Sequence, residues 1–501
     1  MNKDLKLLAF DTDRIKDYVF ATDALKEIRG ASALLDDLNR NVMPDIVRQH
    51  DPEMQTVYAH GGAGLFVLSA KRAEDALVAV ERAYRERTSG GASVTGATLQ
   101  LTHGFEARTG SIREIFELLQ LRLRLSKDTP LEALAITSLP HIRTCDACSQ
   151  FPASLSVFEF GSTRLLCDAC EKRRRTSPGV WERLSEKGAP EGDLPSDFSS
   201  LGAQSKPRGY IGLLYADGNG IGRELENQET LHTLAEFASS VDEGIHRATC
   251  DAASEHLQPT RGLLPFVPLF LGGDDLVMVT RAQSALDVAI ALVERFGDHT
   301  EGRTGRRLSI SVGVVLARAS FPFRTMLDLA ESALKFAKRE GARRKLVDRG
   351  LINFLSVTSA NHLDYETFHN EMLRWRPKGS ASKWSRSLRP YTPRELRHLL
   401  DVARDLQDAP RNKLNALAEC VFLSHNQSVL EGHTVLMRWR GDRQQGRKVA
   451  QVNTLRNLVD RSGGGQSMFP WRADNGEWRT PLLDLVEVFD FVERDGNVRA
   501  N

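Results

Sequence analysis

The chain repeats itself, and that repeat restricts the fold more than any other feature. Leu7–Asp13, "LLAFDTD", lines up with Leu213–Asn219, "LLYADGN", and His60–Leu68, "HGGAGLFVL", lines up with Leu271–Val279, "LGGDDLVMV". Around the second copy the apolar pattern alternates. The strand "YIGLLYAD" ends at Asp217, and a helix over about Leu231 to His256 follows. Then come the strand "LLPFVPLF", the turn, the strand "LVMV" and the helix "AQSALDVAIALVERF". The strand Leu308–Ala317 and the helix "FRTMLDLAESALKFAKRE" close the unit. The first copy follows suit with a helix at about Lys71 to Arg87, the strand "SVTGATLQL" and the helix "SIREIFELLQLRLR". Strand, helix, hairpin, helix, strand is a ferredoxin-like plan, so the predicted class is α+β with two such domains.

The copies differ where chemistry would sit. Asp11 stands opposite Asp217, but Ala63 and Gly64 replace Asp274 and Asp275 in this alignment. Two carboxylates about 4 Å apart repel by roughly 4 kcal/mol at an effective dielectric near 20. Magnesium accepts oxygen ligands and relieves that repulsion, and Asp217, Asp274 and Asp275 are expected to converge at the ends of neighbouring strands as its ligands. A pair of such ions suits displacement at phosphorus. The alternative is a solvated turn whose acids merely cap the hairpin. "DGNGIG" offers Gly218, Asn219 and Gly220, small residues that admit a triphosphate close to backbone amides. In "ALKFAKREG", Lys335 and Lys338 lie three apart on a helix, and either could neutralise phosphate.

At 501 residues the chain has room for three or four domains, and its formal net charge of +1 gives no global attraction for nucleic acid. Apolar runs are too short for a membrane span, and the N-terminus is too acidic for a signal peptide, so a soluble cytoplasmic protein is expected. Of six cysteines, Cys145, Cys148, Cys167 and Cys170 form two CxxC pairs separated by eighteen residues. That spacing suits a structural zinc ion with four thiolates. The stretch "GAPEGDLPSDFSSLGAQSKPRG" reads as a linker. Beyond about residue 350 the chain turns helical, interrupted by two basic stretches containing tryptophan, "LRWRPKGSASKWSRSLRP" and "LMRWRGDRQQGRKVAQ". These suit RNA, a docking surface or a solvated loop.

"YADGNGIG", "FLGGDDLVMV", "SISVGVVLA" and "ALKFAKREG", with the paired CxxC segment between two similar halves, resemble the large polymerase-like subunit of type III CRISPR effector complexes. "INFLSVTSANH" and "RPYTPRELRHLLDVARDL" look like that family's helical end. The resemblance implies a palm-like, nucleotide cyclase-like domain at 1–140 with a degenerate GGAG hairpin, and a zinc segment and linker at 141–205. A catalytic palm at 206–350 and a mostly helical domain at 351–501 would follow. It implies ATP as substrate, cyclic oligoadenylate as product, and magnesium or manganese held by Asp217, Asp274 and Asp275. Gly272 and Gly273 would shape the nucleotide-facing turn, and Lys338 would match the phosphate-binding lysine of GGDEF-type cyclases. The first palm would bind a second ATP. Partners would be CRISPR effector subunits with guide and target RNA. The first palm strand starts within about five residues of Met1, so no preceding nuclease domain with a His-Asp metal site, and no DNase activity, is expected. Two other functions fit the residues: a stand-alone nucleotide cyclase, and a scaffold or nucleotide sensor without catalysis.

Overall fold

A computed structural model of the chain describes residues 4–101, 112–128, 142–159, 161–176, 179–357, 364–375, 383–441, 446–460, 467–474 and 476–492. The boundary expected at 140/141 lies outside these residues, as do the last residues of "INFLSVTSANH" and the middles of both basic stretches.

The first half builds a four-stranded antiparallel sheet from β1 (Leu5–Thr12), β2 (Gln55–His60), β3 (Ala63–Ser69) and β4 (Val94–Gln100), in the order β2-β3-β1-β4. A short two-stranded hairpin, β5 (Leu155–Glu159) and β6 (Ser162–Leu166), stands between the halves. The second half repeats the plan with β7 (Tyr210–Gly218), β8 (Phe266–Gly272), β9 (Asp275–Arg281) and β10 (Ile310–Arg318), and β11 (Ile352–Ser356) adds in parallel beside β10. Each half is therefore the predicted ferredoxin-like unit. In each, the strand bearing the candidate aspartate is central, beside the hairpin.

β7 is apolar at almost every position because both its faces are covered. Leu214 and Ala216 pack into the helices Leu231–His256 and Ala285–Thr304. Ile211, Leu213 and Tyr215 point the other way, into a core that also holds Leu8, Phe10, Phe66 and Leu68 of the first half. Residues from both halves thus share one buried core, and burial of that size ties them together.

The strand register corrects the alignment of the two hairpins by one residue. Phe10 faces Gly64 and Asp11 faces Ala63, whereas Ala216 faces Leu276. His60 pairs with Ala63 as Gly272 pairs with Asp275. The irregularity at Thr56/Tyr58 likewise matches the one at Pro268/Phe270. The backbone N–H of Asp13 bonds the Ser93 carbonyl as that of Asn219 bonds the Ser309 carbonyl, both at 2.9 Å. Ala63 therefore occupies the place of Asp275, and Gly62 that of Asp274. The sequence could not separate the two registers, because "GGAG" and "HGGA" both overlay "GGDD" without a gap.

The C-terminal region is helical, with Pro393–Asp405, Arg411–Cys420, His425–Arg440, Gly446–Asp460 and Leu482–Val488. It also contains a sheet the sequence did not announce. Its strands are β12 (Arg374–Trp375), β13 (Lys383–Ser385), β14 (Ser467–Met468), β15 (Trp471–Asp474) and β16 (Glu477–Arg479), ordered β12-β13-β16-β15-β14. Its tryptophans form a core: Trp384 stacks on Trp478 at 5.6 Å and meets Trp471 edge-on at 5.0 Å. Trp384 and Trp439 are buried, so neither offers an exposed platform for an RNA base. Among the described residues no helix is long and apolar enough to cross a membrane.

Candidate active site

Asp217 is the last residue but one of β7, and the Gly272–Gly273 turn carries Asp274 and Asp275 beside it. Gly273 takes φ +65, a backbone that favours glycine. Gly218 must also lack a side chain, since a Cβ there would lie 2.9 Å from the Asp274 Cβ and 2.5 Å from its Oδ2. The sequence thus sets small residues where the carboxylates need room.

Asp217, Asp274 and Asp275 lie near enough to act on one another's protons. Burial first, then the negative charge of Asp217, pushes the Asp274 carboxyl up to about 6. Burial, then the charges of Asp217 and Asp274, raise Asp275 well above the usual carboxylate range, and it hydrogen-bonds the Asp217 carboxyl. Lys338 pairs with Asp217 and donates to the Gly218 carbonyl at 2.6 Å. With that lysine in place, the acids do not close into a cluster as tight as the cysteines described below. Carboxylates that hold protons against their own repulsion fit a site for divalent cations.

Of the two candidate lysines, only Lys338 reaches the acids. Lys335 is mostly solvent-exposed and pairs with Glu331 at 2.9 Å. Asn219 is taken up internally: its amide donates to the Ser309 hydroxyl at 2.8 Å and accepts from the Ser311 hydroxyl at 3.0 Å. Gly220, at φ +73, precedes the short helix Ile221–Glu226, and open space lies where its side chain would be.

Three further residues escaped the sequence reading. Lys127 pairs with Asp11 at 2.6 Å, repeating in the first half the Lys338–Asp217 pair. Its signal was available, since it lies on the helix equivalent to the one that carries Lys338. Lys16 of the first half lies 4.7 Å from the Tyr215 ring centre, and its charge favours the ionised form of Asp275. Asp242 reaches the turn itself, accepting the Gly273 N–H at 3.1 Å. Neither Lys16 nor Asp242 belongs to a motif.

Cys145, Cys148, Cys167 and Cys170 are buried, with their sulfurs all within 4.8 Å of one another. Cys148 and Cys167 lie 3.9 Å apart, and sulfur–sulfur hydrogen bonding holds the Cys148 thiol down while pushing Cys167 up to about 12. Four thiols forced this close fit a tetrahedral zinc ion. His50–Asp51 is a His-Asp dipeptide, and its Asp51 carboxylate accepts the N–H groups of Ser69 at 2.7 Å and Glu53 at 3.1 Å. Those bonds close a turn, and among the described residues the cysteines are the group with metal-ligand spacing.

Residues 210–347 match the family model described as Cas10/Cmr2, second palm domain. A chain of a Csm1–Csm4 cassette in complex with one ATP has a similar fold, with a TM-score of 0.59 at 14% identity over 98% of this chain and 70% of that one. A cassette in complex with cA3 gives a TM-score of 0.59 at 15% identity, over 91% of this chain and 70% of that one. The Csm1–Csm4 subcomplex of the type III-A CRISPR-Csm interference complex matches over 68% of this chain and 54% of that one, at 16% identity and a TM-score of 0.48. The chain thus spans about half the length of that relative. No curated protein sequence matches.

Proposed function

For a chain that is Cas10-like, carrying that family's second palm domain at residues 210–347, we propose a nucleotidyltransferase that joins ATP into cyclic oligoadenylates. One observation carries the reading: three carboxylates and Lys338 converge in the second palm, with the first palm's hairpin turn packed directly against the Gly272–Gly273 backbone. Similar folds occur in cassettes in complex with ATP, cA3 and cA4.

Asp217, Asp274 and Asp275 would hold magnesium or manganese, which when bound supplies positive charge to the reacting phosphate and the attacking hydroxyl. The chain's own groups do the rest. Lys338, released from Asp217, neutralises the polyphosphate, and Gly218, Gly272 and Gly273 let it approach the backbone. Asn219 holds the loop beneath. A second ATP sits at Asp11 and Lys127 and presents its 3′-hydroxyl to the α-phosphate. A P–O bond forms there as the hydroxyl gives its proton to water and pyrophosphate leaves with the electron pair of the broken anhydride. The domain limits 1–140, 141–205, 206–350 and 351–501 remain the proposed units, with zinc stabilising the second. The proposed setting is cytoplasmic antiviral defence, within an effector complex whose target RNA switches the enzyme on.

The test is product analysis by mass after incubation with magnesium and each of the four nucleoside triphosphates, with and without the partner subunits and target RNA. Cyclic oligoadenylate from ATP, dependent on the RNA-bound complex, is expected. Full product from the isolated chain without RNA or partners favours the stand-alone cyclase, and no product under any condition defeats the enzyme.

A further inference from the structure

The GGDD turn is held from outside its own hairpin. The Gly273 N–H donates to Asp242 Oδ1 at 3.1 Å, and Asp242 lies on the helix Leu231–His256. Arg40, from the first half, clamps that carboxylate with both terminal nitrogens, Nη2 to Oδ1 at 2.7 Å and Nη1 to Oδ2 at 3.0 Å. Arg40 is itself fixed by Asp36 at 2.9 Å, and Asp36 also pairs with Arg183. His60, the residue before the first half's turn, brings Nδ1 to 3.6 Å from Asp242 Oδ1, and the Asp242 carbonyl engages His246 Nδ1 at 2.6 Å. On the turn's other side lies backbone. A Cβ on Gly61 would stand 3.0 Å from both the Cα and the N of Gly273.

We propose that Asp242, locked by Arg40, is a positioning residue that fixes the Gly272–Gly273 turn, so that the first half sets where Asp274 and Asp275 stand. This rests on the nucleotidyltransferase reading. A buried carboxylate needs full compensation, and Asp242 receives it from one arginine fork and one backbone amide. Although burial alone would raise it, the charges of His60 and Arg40 hold its carboxyl well below the usual range. The amide it fixes belongs to the residue immediately before Asp274. Because positioning errors of an ångström cost around a hundredfold in rate, such an anchor has catalytic consequences without touching substrate.

The experiment compares wild type, Asp242→Ala and Asp242→Asn in the full chain by two readouts. Hydrogen exchange of the segment 270–276 is followed by mass spectrometry on the metal-free protein, and turnover of ATP is measured under activating conditions. Asp242→Ala is expected to speed turn exchange at least about tenfold. It should lower kcat by roughly ten- to a hundredfold while the KM for ATP stays within about threefold. Asp242→Asn keeps an oxygen for the Gly273 N–H and should fall between. If Asp242→Ala folds and both exchange and kcat stay within about twofold of wild type, the proposal is overturned. Should that variant not fold, Arg40→Lys, which loses the fork, is judged by the same two readouts. Faster turn exchange in a chain that proves to make no product would uphold the anchor and remove only the enzymatic reading.

Discussion

The two palms are nearly the same device, and they differ by an exchange of bulk. In the second, Gly218 ends the central strand and Asp274 packs against it. In the first, Thr12 takes the Gly218 position and Gly62 takes that of Asp274, with the Thr12 N–H bonding the Gly62 carbonyl at 2.8 Å. Both keep the aspartate–lysine pair, Asp217–Lys338 and Asp11–Lys127. Both also pin the next residue by hydroxyls: Ser309 and Ser311 hold Asn219, while Ser93 and Thr95 hold Asp13. Besides the Thr12–Gly218 and Asp13–Asn219 exchanges, what the first half lacks is the pair of hairpin carboxylates. The aspartate–lysine pair can thus persist without the hairpin acids, because the two lie on different elements.

Exchanging the acids between the palms should break this comparison most severely. Asp274→Ala with Asp275→Ala is expected to lower pyrophosphate release by a thousandfold or more, on the order of 4 kcal/mol in the barrier, while the chain stays folded. Equal rates in wild type and variant would leave the second palm without a chemical role. The reverse graft, Gly62→Asp with Ala63→Asp, should not rescue that variant. A Cβ on Gly62 falls 2.2 Å from Ile15 Cδ1 at φ +87, so a cost of about 1–3 kcal/mol in thermal stability is expected instead of activity. Rescue by the graft would show the halves to be interchangeable.

A finer division is expected from the lysines. Lys338→Ala should reduce kcat roughly a hundredfold, whereas Lys127→Ala should mainly raise the KM for ATP by about tenfold. Steady-state kinetics separate the two, and identical effects would erase the distinction between donor and acceptor sites.

The smallest expected effect is one of stability against pH. Asp274 titrates near 6 in the folded protein, above the ordinary carboxylate value of 3.8. Between those values the folded state holds the extra proton, so metal-free stability falls as pH rises through this window and stays lower above it. Asp274→Asn should therefore stabilise the metal-free chain by about 1–2 kcal/mol at pH 8, discounted because the side chain keeps some solvent contact, and by nothing near pH 3.5. Denaturant titration at the two pH values reads this directly. Equal gains at both would mean that the cost of ionising buried Asp274 beside Asp217 is not the cause.

Much of this protein was legible along the chain. Apolar periodicity marked the strands and helices of both halves, and GGDD after an acid-ending strand marked the site. The CxxC spacing marked four cysteines whose sulfurs do come together. These signals are local, since backbone geometry ties a short stretch of sequence to its own strand, turn or metal-ligand spacing. The tertiary structure alone decided the rest. It set the hairpin register, which depends on hydrogen bonds to a partner strand and slips by one residue without changing the local pattern. It chose Lys338 over Lys335, because only the helix's rotation against β7 says which lysine faces Asp217. It buried Trp384 and Trp439, which composition alone allows to face solvent or core. It also brought Arg40 and Asp242, 202 residues apart, together over the Gly272–Gly273 turn. Such long-range pairs leave no local trace, because their energy arises only once two distant elements have packed.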